Sequence, residues 1–284
     1  MTVDRALRDS INHRLANVAA EREIAPDRVR RHFVFQRILV RLSAADGWVL
    51  KGGFALEVRL GLQARATKDL DLVMLDDLDG TEVQDRLLDA LDGDADDGLT
   101  FQVSAPRALA ADETGKPGWK FTVTSFLGGK VFAPLRVDIV ARSAEIDGAV
   151  GTVEVHPPIL AERLSSTAMP AVDVAQHAAE KFHAMTRTYA GDRPSSRVKD
   201  LVDVVLLAEA GLLPHPDLEG RLQTVWQVRD GLPPPAELPE FPASWQLDYA
   251  AMAAELDLPV DYTTARSTAV RLFAEAVTPE ENHP

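Results

Sequence analysis

The first 45 residues alternate polar and apolar side chains at helical spacing. Apolar positions recur every three or four residues over 4–24 and again over 27–45, and the break Ala25-Pro26-Asp27 separates the two stretches. Pro26 suits the first turn of the second stretch, because its fixed φ is already helical and its missing N–H has no partner there. The pattern predicts two amphipathic N-terminal helices.

Residues 46–158 change to short apolar runs, several of which alternate with period two. The alternation in KFTVTSF, rich in Thr and Phe, is typical of a strand. The pattern predicts strands over 48–50, 70–75, 99–103, 119–126 and 135–140, with a last edge strand at 153–155. It predicts helices over 53–60 and 81–91. Since strands continue after the acidic stretch 76–98, the segment is interpreted as an insertion within one mixed α/β core.

Helical spacing returns after Pro157-Pro158. It predicts helices over 159–166, 172–190, 197–210, 246–256 and 263–277, whereas the proline-rich stretch 231–242 predicts an extended connector. The expected fold class is therefore α/β (α+β), with three parts. These are N-terminal helices in 1–45, a mixed core in 46–158 and a helical C-terminal domain in 159–284.

Composition narrows the kinds of site that the chain can hold. The 284 residues include no cysteine, which excludes disulfides, thiolate nucleophiles and cysteine zinc sites. The N-terminus is polar, and no apolar run approaches the roughly 20 residues that a membrane span needs. We expect a cytoplasmic protein with no membrane partner.

Charge is unevenly distributed along the chain. The net charge of −14 argues against non-specific nucleic-acid binding. Residues 69–97 contain twelve acids and one arginine, whereas 28–41 contain five arginines and no acid, and 181–199 contain five cations and one acid. The two basic segments could form a locally basic cleft on an acidic body. The alternative, which stays open, is that they are solvated faces of surface helices.

Three aspartates are the strongest chemical signal. Asp69 and Asp71 are one residue apart in an apolar strand, so their side chains point to the same side. Asp138 lies in a later apolar strand, where a third carboxylate would sit across the sheet. Gly52-Gly53 forms a turn that lets backbone N–H groups approach phosphate. Phosphate and paired oxygen ligands together indicate Mg²⁺-dependent chemistry on a nucleotide.

The order of these segments resembles a known family. KGGFALEVRLG and RATKDLDLV, followed by an Asp on a later strand, are similar to the polymerase-β nucleotidyltransferase superfamily. They resemble more specifically its AbiEii/AbiGii-type toxins, which include the MenT toxins. Two later blocks agree, EKFHAMTR at 180–187 and RVKDLVD at 197–203, so the resemblance covers roughly 30–210. The chain departs from many superfamily members by having a second glycine at the turn and Thr67 where a serine is usual.

The resemblance implies a polymerase-β-like core with a mixed sheet flanked by helices, and it implies roles for individual residues. Asp69 and Asp71 would hold Mg²⁺, with Mn²⁺ as an alternative, and Asp138 would complete the metal site or act as base. Catalytic roles fall to these three and Lys181. Nucleotide contacts or site shaping fall to the following residues: Gly52, Gly53, Thr67, Lys181, Lys199, Asp200 and Asp203. Arg65, in the loop that enters the aspartate strand, is a separate candidate for neutralising phosphate, with an ordinary exposed charge as the open alternative.

The implied function is transfer of a nucleotide from an NTP to an RNA acceptor, the tRNA 3′ end, by a toxin with a cognate antitoxin. Two alternatives stay open. The acceptor could be a hydroxyl of a protein or of a small cationic molecule, or the chain could be a non-catalytic nucleotide-binding module. For Lys199 and Asp203, an ordinary surface pair four residues apart is a further alternative.

Overall fold

The computed structural model describes residues 3–61, 64–109, 118–141, 143–187 and 197–278, the side chains of residues 3 and 4 excepted. The helices in this part of the chain are α1 Val3–Glu21, α2 Pro26–Leu42, α3 Gly52–Leu60, α4 Gly80–Leu91, α5 Val174–Thr186, α6 Val198–Glu209, α7 Leu218–Asp230, α8 Trp245–Glu255 and α9 Tyr262–Val277. Among these described helices, none has the combination of length and apolar character that crossing a bilayer requires.

The strands join into one mixed sheet. They are β1 Trp48–Lys51, β2 Asp69–Met74, β3 Leu99–Val103, β4 Arg107–Ala108, β5 Gly118–Leu127, β6 Lys130–Val140, β7 Val150–Val155 and β8 Thr167–Val172. Their order is β3-β5-β6-β2-β1-β8-β7, with β4 beside β5. The pairs β2–β6 and β1–β8 are parallel, whereas β1–β2, β3–β5 and β5–β6 are antiparallel. The expected mixed α/β class is confirmed.

Two sequence predictions in the second half were wrong, and one helix was missed. Residues 159–166 form turns rather than a helix, because Leu160 is 88 % exposed beside buried Ile159 and no apolar helical face exists there. Strand β8 follows, so β7 is not the last strand; Pro170 had weakened its strand pattern. Helix α7 was also missed, because Gly220 interrupts its short apolar spacing.

The ends of the predicted helix over 172–190 also differ. It begins at Val174, after Asp173 caps it by accepting a hydrogen bond from the Gln176 N–H at 2.7 Å. It ends at Thr186, because Arg187 already has extended backbone. The last three predicted positions, 188–190, lie outside the described residues.

One face of the sheet builds the hydrophobic core. Leu70 and Leu72 on β2 and Val137 and Ile139 on β6 are fully buried in one cluster with apolar residues of α1, α2 and α4. The alternate positions of the same strands therefore point to the opposite face. That second face carries the candidate chemistry described below.

The basic segment 28–41 corrects an expectation. Arg37 and Arg41 are 1 % and 6 % exposed and share the buried carboxylate of Asp97, with nitrogen–oxygen distances of 2.7–2.9 Å. Arg28 likewise pairs with buried Glu57 at 3.2 Å. These arginines are not a solvated helix face, and Arg37 and Arg41 are not available to an RNA backbone. They join α2 to the loop that precedes β3.

The chain divides into two compact units that are interleaved in sequence. The first contains residues 1–59, 66–143 and 150–171, and the second contains 60–65, 144–149 and 172–284. The N-terminal helices thus group with the sheet. The three-part division predicted from the sequence stays a prediction.

Candidate active site

Asp71 and Asp138 are directly opposite each other on the parallel strands β2 and β6. Asp69 is opposite Arg136 in the same register. Opposed residues on neighbouring strands point to the same face, so all four side chains project from the face opposite the core. The three aspartates that the sequence singled out are therefore brought together.

Lysines extend this row on both sides. Lys51 on β1 is opposite Asp71, and Lys120 on β5 is opposite Asp138. Across the strands β1, β2, β6 and β5, the row consists of Lys51, Asp71, Asp138 and Lys120. Asp69 and Arg136 lie opposite each other, two residues earlier on β2 and β6. Acids in otherwise apolar strands are unfavourable unless they are paired, and here cations lie beside them.

Two of the carboxylates make ion pairs with these cations. Arg136 Nε lies 2.6 Å from Asp69 Oδ1, and Lys120 Nζ lies 3.4 Å from Asp138 Oδ2. The Arg136 contact lacks hydrogen-bond alignment, so Asp69 Oδ1 is buried without a hydrogen-bond donor, as is Asp138 Oδ1. Burial raises the pKa of Asp138; Lys120 opposes this effect and Asp69 adds to it.

The carboxylates of the three aspartates are chemically suited to bind a divalent cation. Hard cations prefer carboxylate oxygens, and the two buried oxygens without donors are ones that a cation could satisfy. Within the residues that the structure describes, however, no three acidic, histidine or cysteine side chains converge as a ready-made metal-binding group. Asp69 and Asp138 each face a cationic side chain instead.

Gly52 lies where β1 turns into α3, and its lack of a side chain is required there. Its φ is +65°, and a Cβ at this position would collide with the Asp71 carboxylate. Asp71 therefore lies against the backbone at the start of α3. Gly53 follows as a buried residue of the first helical turn, whose N–H groups have no partner within the helix. The turn and the carboxylate form one local arrangement.

Thr67 is placed just before the aspartate pair. Its hydroxyl donates to the backbone carbonyl of Asp69 at 3.1 Å, and its own carbonyl accepts from Arg31 Nε at 3.2 Å. In this arrangement the hydroxyl fixes the entry to β2. Its predicted contact with a triphosphate stays a prediction.

A second cluster lies within the second unit. Lys181 is 7 % exposed, and its Nζ lies 2.8 Å from both Asp200 Oδ1 and Asp203 Oδ2. Arg65 makes a two-point contact with Asp203 at 2.9 and 3.0 Å, and Arg197 contacts Asp200 at 2.6 Å. The fully buried acids on α6 are thus matched by three cations. The cluster joins the residues Lys181, Asp200, Asp203 and Arg65, which the sequence had placed at a nucleotide site.

The pKa values of this cluster follow from the pairing. Burial alone would lower the pKa of Lys181 and raise that of Asp200, but the opposite charges outweigh burial in both cases. The pKa of Lys181 is raised and that of Asp200 is lowered, so both are ionised at neutral pH. Lys199 is exposed, and its pKa is lowered by burial of part of its side chain and by Arg197. Asp203 pairs with Lys181 and Arg65.

Sequence reasoning did not assign roles to Lys51, Lys120 and Arg136. Arg136 precedes Asp138 by two residues in an apolar strand, so period two already places both on one face. Lys120 occupies the corresponding position of β5. The signal was present for Arg136, but the strand pairing that adds Lys51 and Lys120 required the structure.

Comparison with protein families gives one match. The model described as "Nucleotidyl transferase AbiEii toxin, Type IV TA system" matches residues 34–274, which is most of the chain. A comparison with curated protein sequences gives no match.

Three solved structures are similar at a low level. JHP933 from Helicobacter pylori is 20 % identical, with 88 % of this chain and 93 % of that chain covered and a TM-score of 0.49. A putative nucleotidyltransferase from H. pylori is 20 % identical, with 89 % and 97 % covered and the same TM-score. The nucleotidyltransferase toxin MenT4 from Mycobacterium tuberculosis is 18 % identical, with 94 % and 97 % covered and again 0.49. These similarities are too distant to support an inference about function.

Proposed function

The chain belongs to the AbiEii family of nucleotidyltransferase toxins of type IV toxin–antitoxin systems, and we propose that it transfers a nucleotide from an NTP to an RNA hydroxyl. One observation carries the proposal. Asp71 and Asp138 are opposed on parallel strands, with Asp69 one step away and the Gly52 turn against Asp71. Three carboxylates beside a glycine turn suit a nucleotide triphosphate with divalent cations.

Asp69, Asp71 and Asp138 would hold the cation, with Mg²⁺ as the ion and Mn²⁺ as a substitute. When bound, the ion neutralises phosphate charge and polarises the phosphorus–oxygen bonds. The N–H groups at the start of α3 lie beside Asp71 and are suited to donate hydrogen bonds to a phosphate. Thr67 holds the entry to β2 in place through its bond to the Asp69 carbonyl.

In the proposed reaction an acceptor hydroxyl oxygen attacks the α-phosphorus of the NTP. A new oxygen–phosphorus bond forms, the bond to the bridging oxygen between the α- and β-phosphates breaks, and pyrophosphate leaves. Asp138 takes the hydroxyl proton, a role that suits a carboxylate whose pKa burial has raised. Positioning and charge stabilisation supply the rest of the acceleration.

The family resemblance assigns a nucleotide phosphate to Lys181, and nucleotide contacts or site shaping to Lys199, Asp200 and Asp203; Arg65 is a candidate from its place in the loop before β2. We retain these assignments within the proposal. The buried ion pairs favour a shaping role for Asp200 and Asp203. Lys199, which is exposed, is better suited to direct contact.

We propose the 3′ end of tRNA as the acceptor and the cytoplasm as the place of action. Blocking that end would prevent aminoacylation and stop translation, and a cognate antitoxin would restrain the activity. The sheet supports an RNA acceptor locally. Positions of β3 and β5 on the aspartate face carry hydroxyls and an amide, namely Thr100, Gln102, Thr122 and Thr124. Such groups can hydrogen-bond to a sugar–phosphate backbone.

The test supplies each of the four labelled NTPs with total tRNA, and separately with cell-lysate protein. The proposal expects label on tRNA, at a 3′ end identified by sequencing. Label on protein alone would overturn the RNA acceptor and leave nucleotidyl transfer standing.

A variant pair tests the chemistry itself. Asp71→Asn should abolish incorporation and growth arrest, whereas Asp77→Asn, at an exposed acid six residues away, should retain both. An Asp71→Asn protein that still arrested growth would show that toxicity does not depend on this site.

A further inference from the structure

Arg136 and Lys120 are each paired with one carboxylate of the candidate metal site. Arg136 contacts Asp69 at 2.6 Å and Lys120 contacts Asp138 at 3.4 Å. Asp138 keeps a buried Oδ1 without a hydrogen-bond donor, and the Asp69 Oδ1 that Arg136 contacts is buried and not hydrogen-bonded. The two cations therefore compensate the acids without saturating them.

The three acids on this sheet face are matched by at least as many cations, since Arg107 on β4 also lies opposite Lys120. Asp69, Asp71 and Asp138 contribute three negative charges, and the strand register places Lys51, Lys120 and Arg136 beside them. A divalent cation approaching such a site meets little net charge. It must also displace the existing ion pairs, so its binding on its own is weakened.

The two cations can be displaced. The side chains of Arg136 and Lys120 are 51 % and 39 % exposed, and ion pairs of this exposure are weak. Both are long, flexible side chains, and both guanidinium and ammonium groups bind phosphate oxygens well. A triphosphate bound beside the carboxylates would offer them new partners.

We propose that Arg136 and Lys120 are resident counter-cations of the three-aspartate site. They pair with Asp69 and Asp138 while no divalent cation is bound, and they turn to triphosphate oxygens when metal and nucleotide bind. The consequence is positive coupling, in which each ligand strengthens binding of the other by the same factor. This inference rests on the proposed function, since it requires that the aspartates bind metal and nucleotide.

The experiment titrates the full-length protein with Mn²⁺ and follows free Mn²⁺ by electron paramagnetic resonance. Titrations are made with the protein alone, with the non-hydrolysable α,β-methylene analogue of the preferred NTP alone, and with both, because the triphosphate itself binds Mn²⁺ and its share must be subtracted. For the unaltered protein, Mn²⁺ alone should bind weakly, and the analogue should strengthen binding at least tenfold.

Substitution of the two cations should strengthen the binding of Mn²⁺ alone and reduce the effect of the analogue. Lys120→Gln and Arg136→Gln should each strengthen binding of Mn²⁺ alone by about threefold, and the double variant by about tenfold, as expected for two exposed pairs. The analogue should then strengthen Mn²⁺ binding less than in the unaltered protein. Lys120→Arg, which keeps the charge, should retain the original behaviour.

Lys130→Gln is the matched control, because it removes one exposed lysine from the start of β6, away from the aspartates. It should change neither titration. Thermal unfolding followed by circular dichroism checks that every variant is folded.

The outcomes separate the two proposals. If Asp71→Asn weakens Mn²⁺ binding but the Lys120 and Arg136 variants bind it no more tightly than the unaltered protein, the counter-cation role is overturned and the metal site stands. If the unaltered protein binds no Mn²⁺ with or without the analogue, the proposed function fails and the inference falls with it.

Discussion

The carboxylate of Asp71 occupies the space that a side chain at position 52 would need. Gly52 also has a φ of +65°, a backbone conformation that side chains disfavour. The glycine turn and the aspartate pair, which are separate segments in sequence, therefore depend on each other. The requirement for glycine at this position comes from the site as much as from the turn.

Gly52→Ala should displace Asp71 and strain the backbone. We expect a loss of Mn²⁺ binding with the nucleotide analogue, and a decrease of about 3 kcal/mol in the free energy of unfolding from combined overpacking and strain. Urea denaturation and the Mn²⁺ titration measure these effects.

Gly61→Ala is the control for that substitution. Gly61 has nearly the same φ, +63°, but a Cβ there would meet no atom of the described residues within 4 Å, its chain neighbours apart. The free energy of unfolding of Gly61→Ala should decrease by only about 1 kcal/mol, and Mn²⁺ binding should be kept. Equal effects of the two substitutions would show that the contact with Asp71 is unimportant.

Asp138→Asn distinguishes a ligand from a proton acceptor. As a base, Asp138 should contribute roughly 10²–10⁴-fold to the rate, so the variant should incorporate nucleotide that much more slowly in single-turnover assays. If Asp138 acts only as base, Mn²⁺ affinity should stay within about threefold of the original, whereas Asp71→Asn should lose it. A rate within a few-fold of the original would exclude both roles.

Lys181→Met tests the buried cluster on α5 and α6. Removing the cation leaves Asp200 and Asp203 buried with fewer partners, which should decrease the free energy of unfolding by about 3 kcal/mol. Lys199→Met, at an exposed neighbouring position, should change it by less than about 0.5 kcal/mol. Urea denaturation of both variants checks this, and similar losses would show that the buried pairing is not what matters.

Asp97→Asn tests the buried pairing with Arg37 and Arg41. The variant should unfold more easily by about 3 kcal/mol at pH 7, since two buried arginines lose their shared carboxylate. Burial alone would raise the pKa of Asp97, but Arg41, Arg37 and the Leu99 N–H outweigh it and lower the pKa below 3.8.

The sign of the pH dependence follows from that lowered pKa. The ionised carboxylate stabilises the fold fully above its unfolded pKa, and the contribution is lost as the pH falls through the folded pKa. The difference in free energy of unfolding between the original protein and Asp97→Asn should therefore be constant from pH 7 to 5 and become smaller below about pH 4. Urea denaturation across this range measures it, and a gap that widened in acid would contradict the pairing.

The sequence was sufficient wherever the signal was local. Apolar runs placed Asp71 and Asp138 in the right strands and left Asp69 one residue before its strand, and the resemblance to the family was confirmed. It failed where a residue's role depends on a distant partner. The burial of Arg37 follows from Asp97, which lies in a separate loop, and nothing near Arg37 in sequence indicates that partner.

Dependence on a distant partner also explains why the sequence assigned no role to Lys120. Lys120 belongs to the site because β5 pairs with β6 in a register that sets it opposite Asp138. A lysine in an alternating strand is otherwise typical of any solvent-facing position. Pairing of strands far apart in sequence is the information that local patterns lack.

The interleaving of the two compact units limits how the gene can be divided. A fragment starting at residue 159 would keep Asp203 and Arg229 but lack Arg65 and Glu145, their partners from earlier segments. Such a fragment would thus leave the buried charges of Asp203 and Arg229 without these partners. Split-protein reporters and separately expressed halves are therefore poor tools for this toxin.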